Sequence, residues 1–133
     1  MIVVDASAMV AILLNEEDGP DFMKQISIAD GALISAVNWW EVLAKAQRSL
    51  GDAGRFHAEA LLTALNVTVV AVTPEDSRAA ADAFARFGRH TPAALNMGDC
   101  FAYALAKAQG DGLLFKGNDF PLTDVGLPKT EGS

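Results

Sequence analysis

The stretch Ile2-Val3-Val4-Asp5-Ala6-Ser7-Ala8 decides how the rest of the chain is read. Three consecutive β-branched residues leave no polar face, so the run predicts a short strand buried on both sides, as in a parallel sheet. An acid placed directly after such a strand is unusual. An unpaired carboxylate there would cost several kcal/mol, so Asp5 needs a metal, a cation or backbone donors. Capping of the next helix and metal ligation both meet that need, and Asp5 alone does not choose between them. Ser7 is expected to cap the apolar helix running to about Leu14.

Outward from this stretch the pattern alternates. Gly19 to Ala29 reads as a helix, Ala32 to Ala36 as a strand, and Asn38 to Leu50 as a helix ended by Gly51. Ala53 to Leu65 continues helical and completes a hairpin, and Val67 to Val72 is a third β-branched strand. Thr73-Pro74-Glu75-Asp76 is a strong helix start, with a capping hydroxyl, proline in the first turn and acids against the positive helix end. Ala79, Ala80, Ala83, Phe84 and Phe87 then share one face, and Gly88 stops the helix. A helix over Leu95 to Gln109 and a strand over Gly112 to Phe115 follow, with a fifth, edge strand a candidate near Val125. The alternation predicts an α/β fold, a three-layer α/β/α sandwich around a parallel sheet of four to five strands. Residues 1–133 read as one domain with a loose tail from about Gly126 to Ser133. Ligands of such sheets bind beyond the carboxyl ends of the strands.

The 133 residues are 51% hydrophobic and 20% charged, a globular balance and not a disordered one. The single cysteine, Cys100, excludes an internal disulfide and a multi-cysteine zinc site, which fits a reducing cytoplasm. The apolar start lacks a basic n-region and carries Asp5, so it is not expected to be a signal peptide. No run approaches the roughly 18 apolar residues of a membrane span, and no membrane association is expected. A net charge of −7 argues against a nucleic-acid coat protein, which would carry a basic surface. Metal-assisted phosphodiester chemistry stays open, because bound cations cancel part of the negative field.

Position separates the 17 acids. Glu16, Glu17, Asp18, Asp21, Asp52, Glu75, Asp76 and Asp111 sit at turns or helix starts, and Glu59 and Asp82 on solvated helix faces. Asp99 lies near a helix start on the same face as Ala102, Tyr103 and Ala106, which turns it toward the protein. Glu41 comes one turn after Asn38 on the helix leaving strand two. Asp119 follows strand four in Lys116-Gly117-Asn118-Asp119-Phe120. Asp5, Glu41, Asp99 and Asp119 are therefore expected at one sheet edge. Gathered without a metal they would repel one another. One or two Mg²⁺ or Mn²⁺ ions relieve that conflict and support hydrolysis by activated water.

Val3-Val4-Asp5-Ala6-Ser7-Ala8, the acid in Ser35-Ala36-Val37-Asn38-Trp39-Trp40-Glu41-Val42, Leu95-Asn96-Met97-Gly98-Asp99-Cys100-Phe101-Ala102-Tyr103-Ala104 and Leu113-Leu114-Phe115-Lys116-Gly117-Asn118-Asp119-Phe120 resemble the PIN-domain ribonucleases. More narrowly they resemble the VapC toxins of bacterial toxin–antitoxin pairs. The resemblance implies a Mg²⁺- or Mn²⁺-dependent endoribonuclease, inhibited by a VapB-type antitoxin and homodimeric. It implies Asp5 and Asp99 as principal metal ligands, with Glu41 and Asp119 completing the acidic site. Many PIN domains carry another acid or a Ser/Thr just before the last acidic position; Gly117 and Asn118 stand there instead.

Ser7, Asn38, Lys116, Asn118 and Arg89 are candidate supporting residues or RNA contacts, whereas Arg86 is expected to be solvated surface. Trp39 and Trp40 could stack on bases but are expected to divide between core and partner interface, and Cys100 to be a small buried apolar residue. A receiver-type signalling domain would place its phosphorylatable Asp where Thr73-Pro74 stands. A phosphatase of the haloacid-dehalogenase type would want Asp at Ser7, and no phosphate-cradling Gly-rich Lys motif is present. The remaining alternative is a catalytically degenerate PIN-fold binding protein, against which retention of all four acids argues.

Overall fold

Strand β1, Ile2–Val4, is the axis of the molecule. A computed structural model describes residues 1–117 and 120–125, and Asn118, Asp119 and the tail from Gly126 lie outside the described residues. Around β1 the described residues form helices α1 (Ala6–Leu13) and α2 (Gly19–Ile28), strand β2 (Ala32–Ser35), helices α3 (Ala36–Leu50) and α4 (Asp52–Ala64), strand β3 (Val67–Val70), helices α5 (Pro74–Phe87) and α6 (Met97–Gln109), and strand β4 (Leu113–Leu114). A short 3-10 turn, Phe120–Leu122, follows.

The strands pair in the order β3-β2-β1-β4, every pair parallel. Alternation along each strand supplies two cores. Ile2, Val4, Ala32, Ile34 and Leu114 pack with the buried faces of α1 to α4. Val3, Leu33 and Leu113 pack with α5 and α6. Both faces of the sheet are thus covered, which is why β1 and β2 are buried along their whole length. Ile34 and Leu95 are completely buried, each contributing about 1.5–3 kcal/mol by leaving water. The α3–α4 hairpin closes tightly because residue 54 is glycine, where an added Cβ would lie 2.4 Å from the Ala46 carbonyl oxygen.

The connections from β1 to β2 and β2 to β3 step one way across the sheet, and the connection through α5 and α6 returns to β4 on the other side of β1. The carboxyl end of β1 is therefore the switch point where a crevice opens. Since α6 leads directly into the start of β4, its own first turn lies at that same edge.

Several local expectations shift. The cap of α1 is Asp5, not Ser7: the Asp5 side chain accepts from the Ser7 backbone N–H. Helix α3 starts at Ala36 because Ser35 caps it, two residues before the start expected at Asn38. Helix α6 starts at Met97, not Leu95, because Leu95 bridges to Gly88 and Asn96 is the cap. The buried stripe of α5 is narrower than expected: Ala80 and Ala83 are buried and Phe87 half-buried, but Ala79 and Phe84 are exposed. The sheet has four strands among the described residues. Val125 forms no fifth strand and instead packs, partly buried, against the α5–α6 core.

Candidate active site

Asp5 ends β1 with its backbone N–H donated to the Leu114 carbonyl (2.9 Å), so its position is set by strand pairing. Only 5% of it is exposed. Its Oδ2 accepts from the Ser7 N–H (3.1 Å) and from the Ser7 hydroxyl (2.6 Å). Ser7 Oγ in turn accepts from the Lys116 backbone N–H at 2.9 Å. With its one hydrogen committed to Asp5, Ser7 joins the end of β1 to the segment leaving β4. Burial of this acid is thus supported by cap donors, the first of the two solutions open from the sequence.

The Lys116 ammonium turns outward, to Glu16 (2.9 Å) and Asp18 (3.3 Å). Hydrogen bonding to Glu16 is the main reason its pKa is raised above the ordinary lysine value. An RNA contact from Lys116 would first have to break these pairs. Arg89 is exposed, on the loop leading to α6. Arg86 is not simply solvated, since it pairs with Asp124 at 3.4 Å.

Asn38, in the first turn of α3, is completely buried, which removes it as an RNA contact. Its Nδ2 donates to Glu41 Oε1 (2.9 Å) and to the Gly98 carbonyl (2.9 Å). Glu41 is half-buried and its carboxyl pKa is raised: burial is the largest cause, the Asp5 charge adds to it, and the Asn38 hydrogen bond opposes it. Asp5 is therefore close enough for its charge to oppose ionisation of Glu41. The Glu41 carboxylate lies directly over Gly98, where a Cβ would come within 2.3 Å of Oε2.

Asp99 follows Gly98 and is half-buried, with Ala102, Tyr103 and Ala106 buried beneath the same face. It also closes a capping box: its Oδ2 accepts from the Asn96 N–H (3.0 Å), and its own N–H is donated to Asn96 Oδ1 (2.9 Å). The signal was present in the sequence, as a capping residue followed three positions later by an acid. Placing the helix start at Leu95 hid it. Gly98 carried no comparable signal. Cys100 is buried, and burial followed by the Asp99 charge pushes its thiol pKa up, the opposite of a reactive thiolate.

The described chain thus brings together Asp5, Glu41 and the first turn of α6 that carries Asp99. Asn118 and Asp119 lie outside the described residues. Among the described residues, no group of three or more His, Cys, Asp or Glu side chains is gathered closely enough to hold a metal ion.

A parallel sheet with acids at its switch point is common to several folds, and comparison with known proteins decides among them. The family model for the PIN domain matches residues 2–126. The chain belongs to the PIN-domain family. A VapC ribonuclease of Rhizobium meliloti (strain 1021) is 42% identical, over 95% of this chain and 100% of that protein. Ribonuclease VapC of Mycolicibacterium smegmatis is 40% identical, over 93% of this chain and 97% of its own. Ribonuclease VapC30 of Mycobacterium tuberculosis is 37% identical, over 93% and 95%. The crystal structure of Mycobacterium tuberculosis VapC20, a sarcin–ricin loop cleaving toxin, superposes with a TM-score of 0.75 at 18% identity, covering 91% of this chain and 93% of that one. That likeness establishes the PIN fold, and the 37–42% identities establish the VapC branch of the family.

Proposed function

We propose that this PIN domain is the toxin of a toxin–antitoxin pair, an endoribonuclease that hydrolyses RNA phosphodiester bonds with Mg²⁺ or Mn²⁺. The observation that carries the reading is the pair Asp5 and Glu41, two carboxylates of different elements at the switch point, where the charge of Asp5 opposes ionisation of Glu41. Such a pair fits a hard divalent cation by its donor chemistry, all oxygen and all anionic, and the cation relieves the repulsion that metal-free protein must bear. Asp5 and Asp99 are the proposed principal ligands, with Glu41 and Asp119 completing the site. When bound there, the cation would lower the pKa of water and stabilise negative charge developing on the phosphodiester.

The chain's own contribution is orientation. Ser7 holds one Asp5 oxygen through both its N–H and its hydroxyl, which fixes the direction of the carboxylate at the end of β1. Asn96 holds one oxygen of Asp99 through its N–H. Exposed Arg89 is the proposed phosphate contact, since Lys116 is engaged with Glu16 and Asp18.

A VapB-type antitoxin, a homodimer and a cytoplasmic location are proposed with the toxin role; no helix among the described residues is long and apolar enough to cross a membrane. Brief induction followed by mapping of new RNA ends tests the reading. Discrete new ends are expected with the natural sequence and none with Asp5→Asn. Identical end profiles from both proteins would overturn it.

A further inference from the structure

We propose that Asn38 is a positioning residue of the acid site: its buried amide holds the Glu41 carboxylate over the bare backbone of Gly98, and residue 98 is glycine so that the carboxylate fits there. The role rests on Glu41 serving as a metal ligand, and it assigns a purpose to two residues that carry no carboxylate of their own.

Asn38 spends both Nδ2 hydrogens, one on Glu41 Oε1 and one on the Gly98 carbonyl, each at 2.9 Å. These two acceptors fix the orientation of the amide, because turning it over would set Oδ1 against two oxygens. Oδ1 itself has no hydrogen-bond partner among the described residues. A buried acceptor without a partner is destabilising, and an apolar side chain of the same size would avoid it. Packing alone therefore favours leucine at this position. What the amide adds is two donors, and both point at the site.

The donors reach different elements. Glu41 lies one turn along α3, whereas Gly98 is 60 residues away in the first turn of α6. The amide is thus a bracket between the helix that carries Glu41 and the helix that carries Asp99. Swinging the Glu41 carboxylate away breaks one arm of it.

Gly98 points to the same placement independently. Its φ is not among the positive values of this chain, so no backbone conformation demands glycine. A Cβ there would lie 2.3 Å from Glu41 Oε2, 2.4 Å from Oε1 and 2.5 Å from Cδ. Any side chain at 98 would expel the carboxylate from the position in which Asn38 holds it.

The test is Mn²⁺ affinity of the purified full chain, measured by titration calorimetry, for Asn38→Leu, Gly98→Ala, Glu41→Gln and each of the first two combined with Glu41→Gln. Asn38→Leu and Gly98→Ala are each expected to weaken binding by about 10-fold or more, as loss of a ligand-orienting contact does. In the Glu41→Gln background both effects should shrink to within about twofold, because they act through one carboxylate. Effects that persist undiminished in that background would overturn the proposal, as would unchanged affinity of both single variants while Glu41→Gln binds weakly. Wild-type affinity in Glu41→Gln would instead overturn the metal-ligand reading of Glu41, and the positioning role with it. Should Asn38→Leu fail to fold, Gly98→Ala carries the test, since alanine favours the helix.

Discussion

Asp5 and Glu41 show how one residue serves stability and chemistry in different proportions. Asp5 caps α1 through a single oxygen, a function asparagine can also perform. Asp5→Asn is therefore expected to fold with little change in melting temperature and to lose more RNA cleavage than the roughly 10–100-fold typical of a residue that only supports a ligand; paired melting curves and initial rates check this. Glu41 has the opposite balance, since its surroundings disfavour its charge. Its folded pKa is raised, so the stability linked to its protonated form is present below the unfolded value of 4.5 and lost as pH rises through the folded value. Because the Asn38 hydrogen bond pulls that pKa down, Asn38→Leu should raise it further. A carboxyl carbon NMR titration of metal-free protein reads this, and a lowered pKa would contradict the described environment.

The helices and strands were legible in the sequence wherever a signal was local. The β-branched run of β1 named a buried strand, and Thr73-Pro74-Glu75-Asp76 named the start of α5, where the capping box forms as expected. The start of α6 was misread because Ala94 adopts φ +52° and Leu95 bridges to Gly88, both tertiary features. The contacts that assemble the site were illegible for the same reason. Ser7 meets Lys116 across 109 residues and Asn38 meets Gly98 across 60, and no periodicity encodes such pairings. At this scale two substitutions are informative. Asn96→Ala removes the cap of α6 and should destabilise by about 1 kcal/mol, a drop in melting temperature of roughly 3–5 °C. Gly54→Ala should force α3 and α4 apart, with a loss of about 1–3 kcal/mol; a neutral result in denaturant titration would show that the hairpin is less closely packed than described.

Across the whole molecule, the face opposite α1 to α4 is tied together by a charged network around Asp124, which accepts from the Tyr103 hydroxyl and pairs with Arg86 (3.4 Å) and Lys107 (3.5 Å). Tyr103 is pushed up to about 12, chiefly by burial, with the Asp124 hydrogen bond and charge adding. A raised folded pKa means stability present below the unfolded value near 10 and lost as pH climbs toward 12. Tyr103→Phe should remove that alkaline decline in a melting series. Asp124 is depressed below its ordinary value, first by the Tyr103 hydrogen bond, so its contribution is present above 3.8 and lost as pH falls through the folded value. That part is small because the pair is half-exposed and screened. The net charge of −7 makes the acid edge repulsive in the absence of metal. Mg²⁺ or Mn²⁺ should accordingly raise the melting temperature, and by less in Asp5→Asn. The central claim, that clustered carboxylates cleave RNA with a divalent cation, is tested most directly by incubating purified, EDTA-stripped protein with end-labelled RNA across a Mn²⁺ titration, beside Asp5→Asn. Internal cleavage that appears with Mn²⁺, vanishes in EDTA and is absent from the variant is the predicted result; cleavage that persists in EDTA, or that Asp5→Asn performs at the same rate, would contradict it.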